Sequence, residues 1–248
     1  TSTLGTLDLA SGTLTTTTNG EASTGSLTWT GGSLNGKVKV GANGATISGT
    51  GGKTISGGDL TLDGATTWDG SNISAGSSAK IQNNATFNAT SDGTLGSDGT
   101  GTFTNAGIFK KSGGNGTTSV QTKFDSTGTV SVDDSTGTLT FSGGGSSSGA
   151  GNKVTVGTGG KLRIDSSNYT FDATDITGAG TVELGGAKTT FKGATGSAKV
   201  KLDGGDAEFS TSTSTLGTLD LASGTLTTTT SGEASTGSLT WTGGSLNG

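Results

Sequence analysis

The chain has 248 residues, a formal net charge of −5 (14 Lys plus Arg against 19 Asp plus Glu), 50 Gly, and no Pro, Cys, Met or His. Without His or Cys there are no Ser–His or Cys–His nucleophile pairs, no disulfides and no thiolate metal sites, and the acidic balance argues weakly against nucleic acid, which needs clustered positive charge. No run approaches the ~20 apolar residues of a membrane span, and Leu, Ile, Val and Phe number only 43 of 248, a level at which chains stay disordered unless the apolar residues are placed regularly.

They are placed regularly from the start. Leu7 and Leu9 lead to Gly12 and Leu14, Leu27 and Trp29 lead to Gly31, Gly32 and Leu34, and Val38 and Val40 alternate with outward Lys37 and Lys39. This is the period-two signal of short strands, punctuated by glycine corners. Leu60 and Leu62 repeat the Val38/Val40 pair one rung on, and Phe103 follows Ile81 by the same interval. Further on come Val130/Val132 and Val154/Val156, and then Val182/Leu184, Val200/Leu202, Leu219/Leu221 and Leu239/Trp241. From Val154/Val156 onward the steps are 28, 18, 19 and 20. Thr28-Trp29-Thr30-Gly31-Gly32-Ser33-Leu34 is echoed by Thr67-Trp68-Asp69-Gly70-Ser71-Asn72-Ile73 at an offset of 39, or two rungs.

No helical i, i+3, i+4, i+7 pattern occurs, and Thr, Ser and Gly disfavour helix. The expected fold is all-β: a parallel β-helix (β-solenoid), right-handed by the crossover rule, with about 20 residues per rung. Such a column needs few apolar residues, because its core is narrow. The expected core ladder is Leu27, Trp29, Trp68, Phe87, Phe103, Phe124, Phe141, Phe171, Phe191 and Phe209. Its aromatics stack on successive coils.

Residues 1–36 and 213–248 are identical except that Asn19 is replaced by Ser231. The tandem period is therefore 212, with residues 1–212 as one long repeat and 213–248 as the start of the next, in one continuous solenoid. At ~4.8 Å per rung the repeat spans roughly 10 or 11 rungs, or about 50 Å.

Candidate chemistry is sparse. Parallel β-helix enzymes that cleave polysaccharides use carboxylates and basic residues on one outer face. Here the single Arg, Arg163, shares a strand face with Asp165, while Asp133 and Asp134 point to opposite faces. Gly113-Gly114-Asn115-Gly116-Thr117-Thr118 begins like a calcium-binding nonapeptide but carries Thr118 at the acid position. Asp92, Asp98, Asp172, Asp175, Asp203 and Asp206 read as dispersed corner acids. Thr13 to Thr18 and Thr28/Thr30 have the Thr-x-Thr pattern of ice-binding faces, but most rungs carry Lys, Asp or Asn outward, so these threonines read as β-favouring surface residues. Asn72, Asn84, Asn88, Asn115 and Asn168 each open an Asn-x-Ser/Thr sequon, a surface glycosylation acceptor where the source glycosylates. No catalytic residue, metal site or cofactor is expected.

The run from Gly101 to Gly114, with Gly128-Thr129-Val130-Ser131-Val132 and Gly137-Thr138-Leu139-Thr140-Phe141-Ser142-Gly143-Gly144-Gly145, resembles repeats of very large bacterial surface and secreted proteins. These are the β-helical arrays of autotransporter passengers and filamentous-haemagglutinin-type adhesins. The resemblance implies an extracellular or cell-surface location and a role in adhesion or matrix formation. The expected function is a structural segment of a fibre or stalk whose partners are neighbouring repeats or copies stacked end to end. The alternative is an adhesin module that binds glycans or a partner surface through one solenoid face. Buried Trp29, Trp68 and Trp241 would remove its best residues.

Overall fold

The computed structural model describes residues 2–17, 19–133 and 135–248; Thr1, Thr18 and Asp134 lie outside the described residues. Among those described, the regular elements are all strands. The strands pair in parallel, each with the strands one turn before and after it. About twelve turns follow one another at about 21 residues each, which defines a β-solenoid.

Through the middle of the chain three strands make a turn, each continuing one of three stacked parallel sheets, while near both ends single strands such as Glu21–Trp29 and Lys199–Phe209 run through a corner and serve two sheets. The first sheet holds Lys37–Val40, Asp59–Leu62, Lys80–Asn83, Thr102–Asn105 and Lys123–Ser126. The second holds Ala45–Ile47, Thr66–Trp68, Thr86–Ala89, Ile108–Lys111 and Thr129–Val132. The third holds Lys53–Ile55, Ile73–Ala75, Gly93–Ser97, Thr117–Val120 and Thr138–Phe141. Corner length absorbs the irregularity of the sequence. The step along the first sheet is as short as Ala22 to Val38 and as long as Gly145 to Tyr169, yet the register holds.

Alternation in each strand decides what enters the column. In Lys37–Val40 the lysines are exposed and the valines buried. Because the pairing is in register, each inward side chain sits on its counterpart one turn away: Leu60 on Ile81, Ile81 on Phe103, Phe103 on Phe124. The ten residues expected to form the ladder all lie in the column, none more than 2% exposed.

The rings make one connected file. Trp68 meets Phe87 (centroids 5.9 Å), Phe103 stacks on Phe124 (5.4 Å), Phe124 on Phe141 (4.2 Å), Phe171 on Phe191 (5.4 Å) and Phe191 on Phe209 (4.9 Å). Two members are absent from the sequence reading. Phe109 packs between Phe87 and Phe103, each at 5.3 Å, and Tyr169 joins Phe141 to Phe171. Phe109 is hidden in the sequence because Ile108 beside it is also apolar, and only the pleat decides which faces in; Ile108 is the one exposed. Glycine is indispensable where turns crowd. At Gly145, with φ +131°, a Cβ would collide with the Phe124 carbonyl oxygen of the preceding turn.

The irregular step of 28 also has a cause. Val154/Val156 belong to the second sheet and Val182/Leu184 to the third, so the interval is a turn plus a corner. The two-rung echo is real geometry. Trp29 pairs with Ile47 and Ile47 with Trp68, and each indole Nε1–H donates to a carbonyl three residues on, Gly32 O at 3.3 Å and Ser71 O at 2.6 Å.

Candidate functional site

The densest charge lies on the third sheet between Lys161 and Asp220. Outward positions stack there as Arg163, Glu183, Lys201 and Asp220, alternating in sign at successive turns. Lys161 Nζ lies 2.6 Å from Glu183 Oε2, Arg163 Nη1 contacts Glu183 Oε1, and Arg163 Nε is 3.6 Å from Asp165. Lys201 pairs with Asp203 at 3.0 Å and Lys199 with Asp220 at 2.8 Å. Arg163 and Asp165 do share a face, as their spacing requires, and Arg163 also makes a close contact with the buried Glu183 one turn on.

The electrostatics of this patch favour fixed charge. Burial works against the Arg163 charge, but Asp165 and Glu183 outweigh it and raise the guanidinium pKa. The hydrogen bond from Lys201 holds the Asp203 carboxyl below the usual aspartate range. Each of these shifts deepens ionisation, whereas proton transfer needs a group moved toward neutrality. In an in-register parallel stack like charges would otherwise sit one rung apart, so the alternation stabilises neighbouring turns.

A second polar cluster occupies the corner that begins like a calcium loop. Its centre is an ammonium. Lys111 points inward, with a fully buried side chain, and donates to Asp92 Oδ1 (2.8 Å), Gly113 O (2.9 Å) and Thr118 Oγ1 (3.0 Å). Asp92 Oδ2 accepts from Gly116 N at 2.8 Å, and the Lys111 hydrogen bond lowers the Asp92 pKa. Thr118, at the position of the expected acid, also donates to Ser91 O. The corner thus carries a cation of its own, tethered to the preceding strand. Lys53 is similar: it points inward and donates to Gly49 O and Gly51 O, both at 3.0 Å, and burial lowers its pKa. Neither inward lysine is legible in the sequence, since in Lys110-Lys111 one faces out and one in.

A third cluster is a buried amide ladder on the first sheet. Asn83 donates to Asn105 Oδ1 (2.7 Å), and Asn105 donates to Ser126 Oγ (3.0 Å) and to Thr129 O (3.0 Å). Asn152, buried in the corner just before the second-sheet strand Lys153–Val156, extends it by donating to Gly128 O at 2.7 Å. These amides occupy inward positions and satisfy corner carbonyls. A signal for them exists in Lys80-Ile81-Gln82-Asn83 and Thr102-Phe103-Thr104-Asn105, where Asn stands two residues after an inward apolar residue.

The remaining candidates are scattered. Asn72, Asn84, Asn115 and Asn168 are exposed or half-exposed, while Asn88 is half-buried and accepts from Ser112 Oγ at 2.6 Å. Asp133 pairs with Lys110 at 2.8 Å. Asp98 lies at a corner, and Asp203 and Asp206 flank the corner where Lys199–Phe209 passes from the third sheet to the first with a shift of register, whereas Asp172 and Asp175, also read as corner acids, fall at strand ends. Thr28, Thr46 and Thr67 form a short hydroxyl column that Asn88 ends. Among the described residues no group of three or more acids is arranged to hold a metal ion. A concavity of about 610 Å³ is lined only by corner residues 49–52 and 69–72, four of them glycine.

Large exposed apolar residues concentrate at the two ends. Leu4 lies at one and Leu239, Trp241 and Leu246 at the other; Ile108 is alone on a lateral face. Trp29 and Trp68 are buried, and Trp241 is 55% exposed on the last turn. Among the described residues no helix is long and apolar enough to cross a membrane.

These features place the chain in the β-solenoid class, consistent with β-helical repeat proteins. Comparison with protein-family models, with curated proteins and with solved structures gives no match in any of the three.

Proposed function

We propose that this chain is a structural segment of an extracellular β-solenoid fibre or stalk, a surface filament or matrix element without catalysis, whose partners are neighbouring repeats or copies stacked end to end. The observation that carries this reading is that one 36-residue sequence recurs after 212 residues within a single parallel stack, paired in register with the turn before it. In its first occurrence Leu27, Trp29 and Leu34 are covered by Ala45, Ile47 and Ile55 of the following turn. In its second, the equivalent Leu239, Trp241 and Leu246 are each about half exposed.

The function follows from the ladder. Unbroken parallel pairing gives axial stiffness, the aromatic file resists separation of turns, and cross-rung ion pairs tie the surface. Recognition of glycans by stacking aromatics finds little support, because the rings are inside the column apart from Trp241 at its end. Lateral carboxylates engaged by lysine or arginine support a role without acid–base chemistry.

The test is to extend the chain beyond Gly248 with the sequence of residues 37–75. Trp241 emission should shift to the blue and lose acrylamide quenching, and amides 233–247 should gain exchange protection. An appended segment that stays unprotected while Trp241 remains quenchable refutes continuous stacking. Antibody labelling of intact source cells tests the location, and a signal only after permeabilisation would overturn it.

A further inference from the structure

The two copies of the 36-residue sequence do not sit on the same faces. Thr3 belongs to the first sheet: it pairs with Ser23, and that sheet runs through Gln82 and Asp125 to Glu208 and Thr227. Its counterpart in the second copy, Thr215, pairs with Thr195 and Ser235. Thr195 in turn pairs with Asp175, which pairs with Lys153 on the second sheet. The same displacement holds throughout the copy. Leu7 lies on the second sheet and its counterpart Leu219 on the third, against Val200. Leu14 lies on the third and its counterpart Leu226 on the first, against Ala207.

On the array reading above, we infer that each long repeat advances by ten turns and one further face, so successive repeats present any lateral feature one third of a turn apart. Equivalence returns only after three repeats. At ~4.8 Å per rung, the repeat rises about 50 Å and the full recurrence is about 150 Å.

The sequence tolerates this because all three sheets ask the same thing of it. A Leu-x-Leu strand between glycine corners needs only two inward positions and an in-register neighbour, and each sheet supplies both. The identical Glu21–Trp29 and Glu233–Trp241 strands bridge the first and second sheets in one copy and the second and third in the other. The interaction surface of the fibre follows. The Arg163, Glu183, Lys201 and Asp220 column would recur one repeat along the axis and one third of a turn around it, before any twist of the solenoid. A second fibre lying alongside would meet this column once in every three repeats instead of along a continuous seam.

The chain has no cysteine, so paired substitutions report register cleanly. Residues paired across parallel strands have Cα atoms within disulfide range. Thr195→Cys with Thr215→Cys, and Glu208→Cys with Thr227→Cys, should each oxidise to a disulfide, with circular dichroism unchanged. Thr190→Cys with Thr215→Cys should not. Oxidation of that last pair, with failure of the first, would put the second copy on the same faces as the first and overturn the inference. Helical reconstruction of native filaments then separates the two levels of the argument. One third of a turn per axial repeat of about 50 Å is the expected result. The same axial repeat without rotation would keep the array and sink the phase shift, and isolated particles would remove the array on which the inference rests.

Discussion

Trp29 and Trp241 occupy the same position in one repeated sequence, so replacing each by alanine isolates the effect of cover. Trp29 is fully buried, donates its indole N–H to Gly32 O at 3.3 Å and is sandwiched between Leu9 and Ile47. Burying about 200 Å² of indole at about 25 cal/mol per Å² is worth roughly 5 kcal/mol, so Trp29→Ala should cost about 3–5 kcal/mol, in the range of large core truncations. Trp241 is 55% exposed, keeps under half that area buried, and should cost about 2 kcal/mol at most. Hydrogen exchange followed by mass spectrometry suits the comparison, since turns of a solenoid open separately and a single global midpoint would mix them. Trp29→Ala should deprotect residues 21–55, and Trp241→Ala should alter only the last turn. Equal losses in the two variants would refute the claim that stacking of the next turn, and not local sequence, stabilises each rung.

Glycine contacts give a second contrast. Gly145→Ala should destabilise by several kcal/mol in urea, because its Cβ would collide with the Phe124 carbonyl oxygen at φ +131°, whereas Gly52→Ala meets nothing within 4 Å and should leave the midpoint unchanged. Acid should loosen the solenoid. Asp63, Asp92 and Asp203 have lowered pKa values, held by Asn84 and Lys39, by Lys111 and by Lys201 respectively. Their contribution is complete above the ordinary aspartate pKa of about 3.9 and is lost as pH falls through the lower folded values. Urea midpoints should therefore drop below about pH 4, and Asp92→Asn should flatten that drop. At the other extreme, burial raises the pKa of Tyr169, whose hydroxyl lies 2.8 Å from Ser147 Oγ. Its contribution is complete below the unfolded tyrosine value of about 10 and declines above it. Absorbance in the tyrosinate band should rise only together with the loss of β circular dichroism, and ionisation with the fold intact would show the phenol reachable by solvent.

Strand, rung length and core membership are legible because they depend on neighbours in sequence. Alternation of Val38 and Val40 with lysines marks the inward side, glycines mark the corners, and the rung length follows from spacing alone. Where alternation is ambiguous, as in Ile108-Phe109-Lys110-Lys111, the residues leave open which member of a pair faces inward, so Phe109 and Lys111 escape a reading of the sequence. The polar clusters escape it for a related reason. Lys111 is held by Asp92 from the turn before, and Asn105 by carbonyls and hydroxyls one turn on, so each site exists only when separate rungs meet.

That one long phrase returns almost unchanged, within a parallel stack of short strands, follows from the residues and their spacing. That it returns on a different face emerges only once the rungs are stacked. Face is the sum of every corner length over ten turns, and burial belongs to the neighbour above; neither quantity is written in the phrase itself.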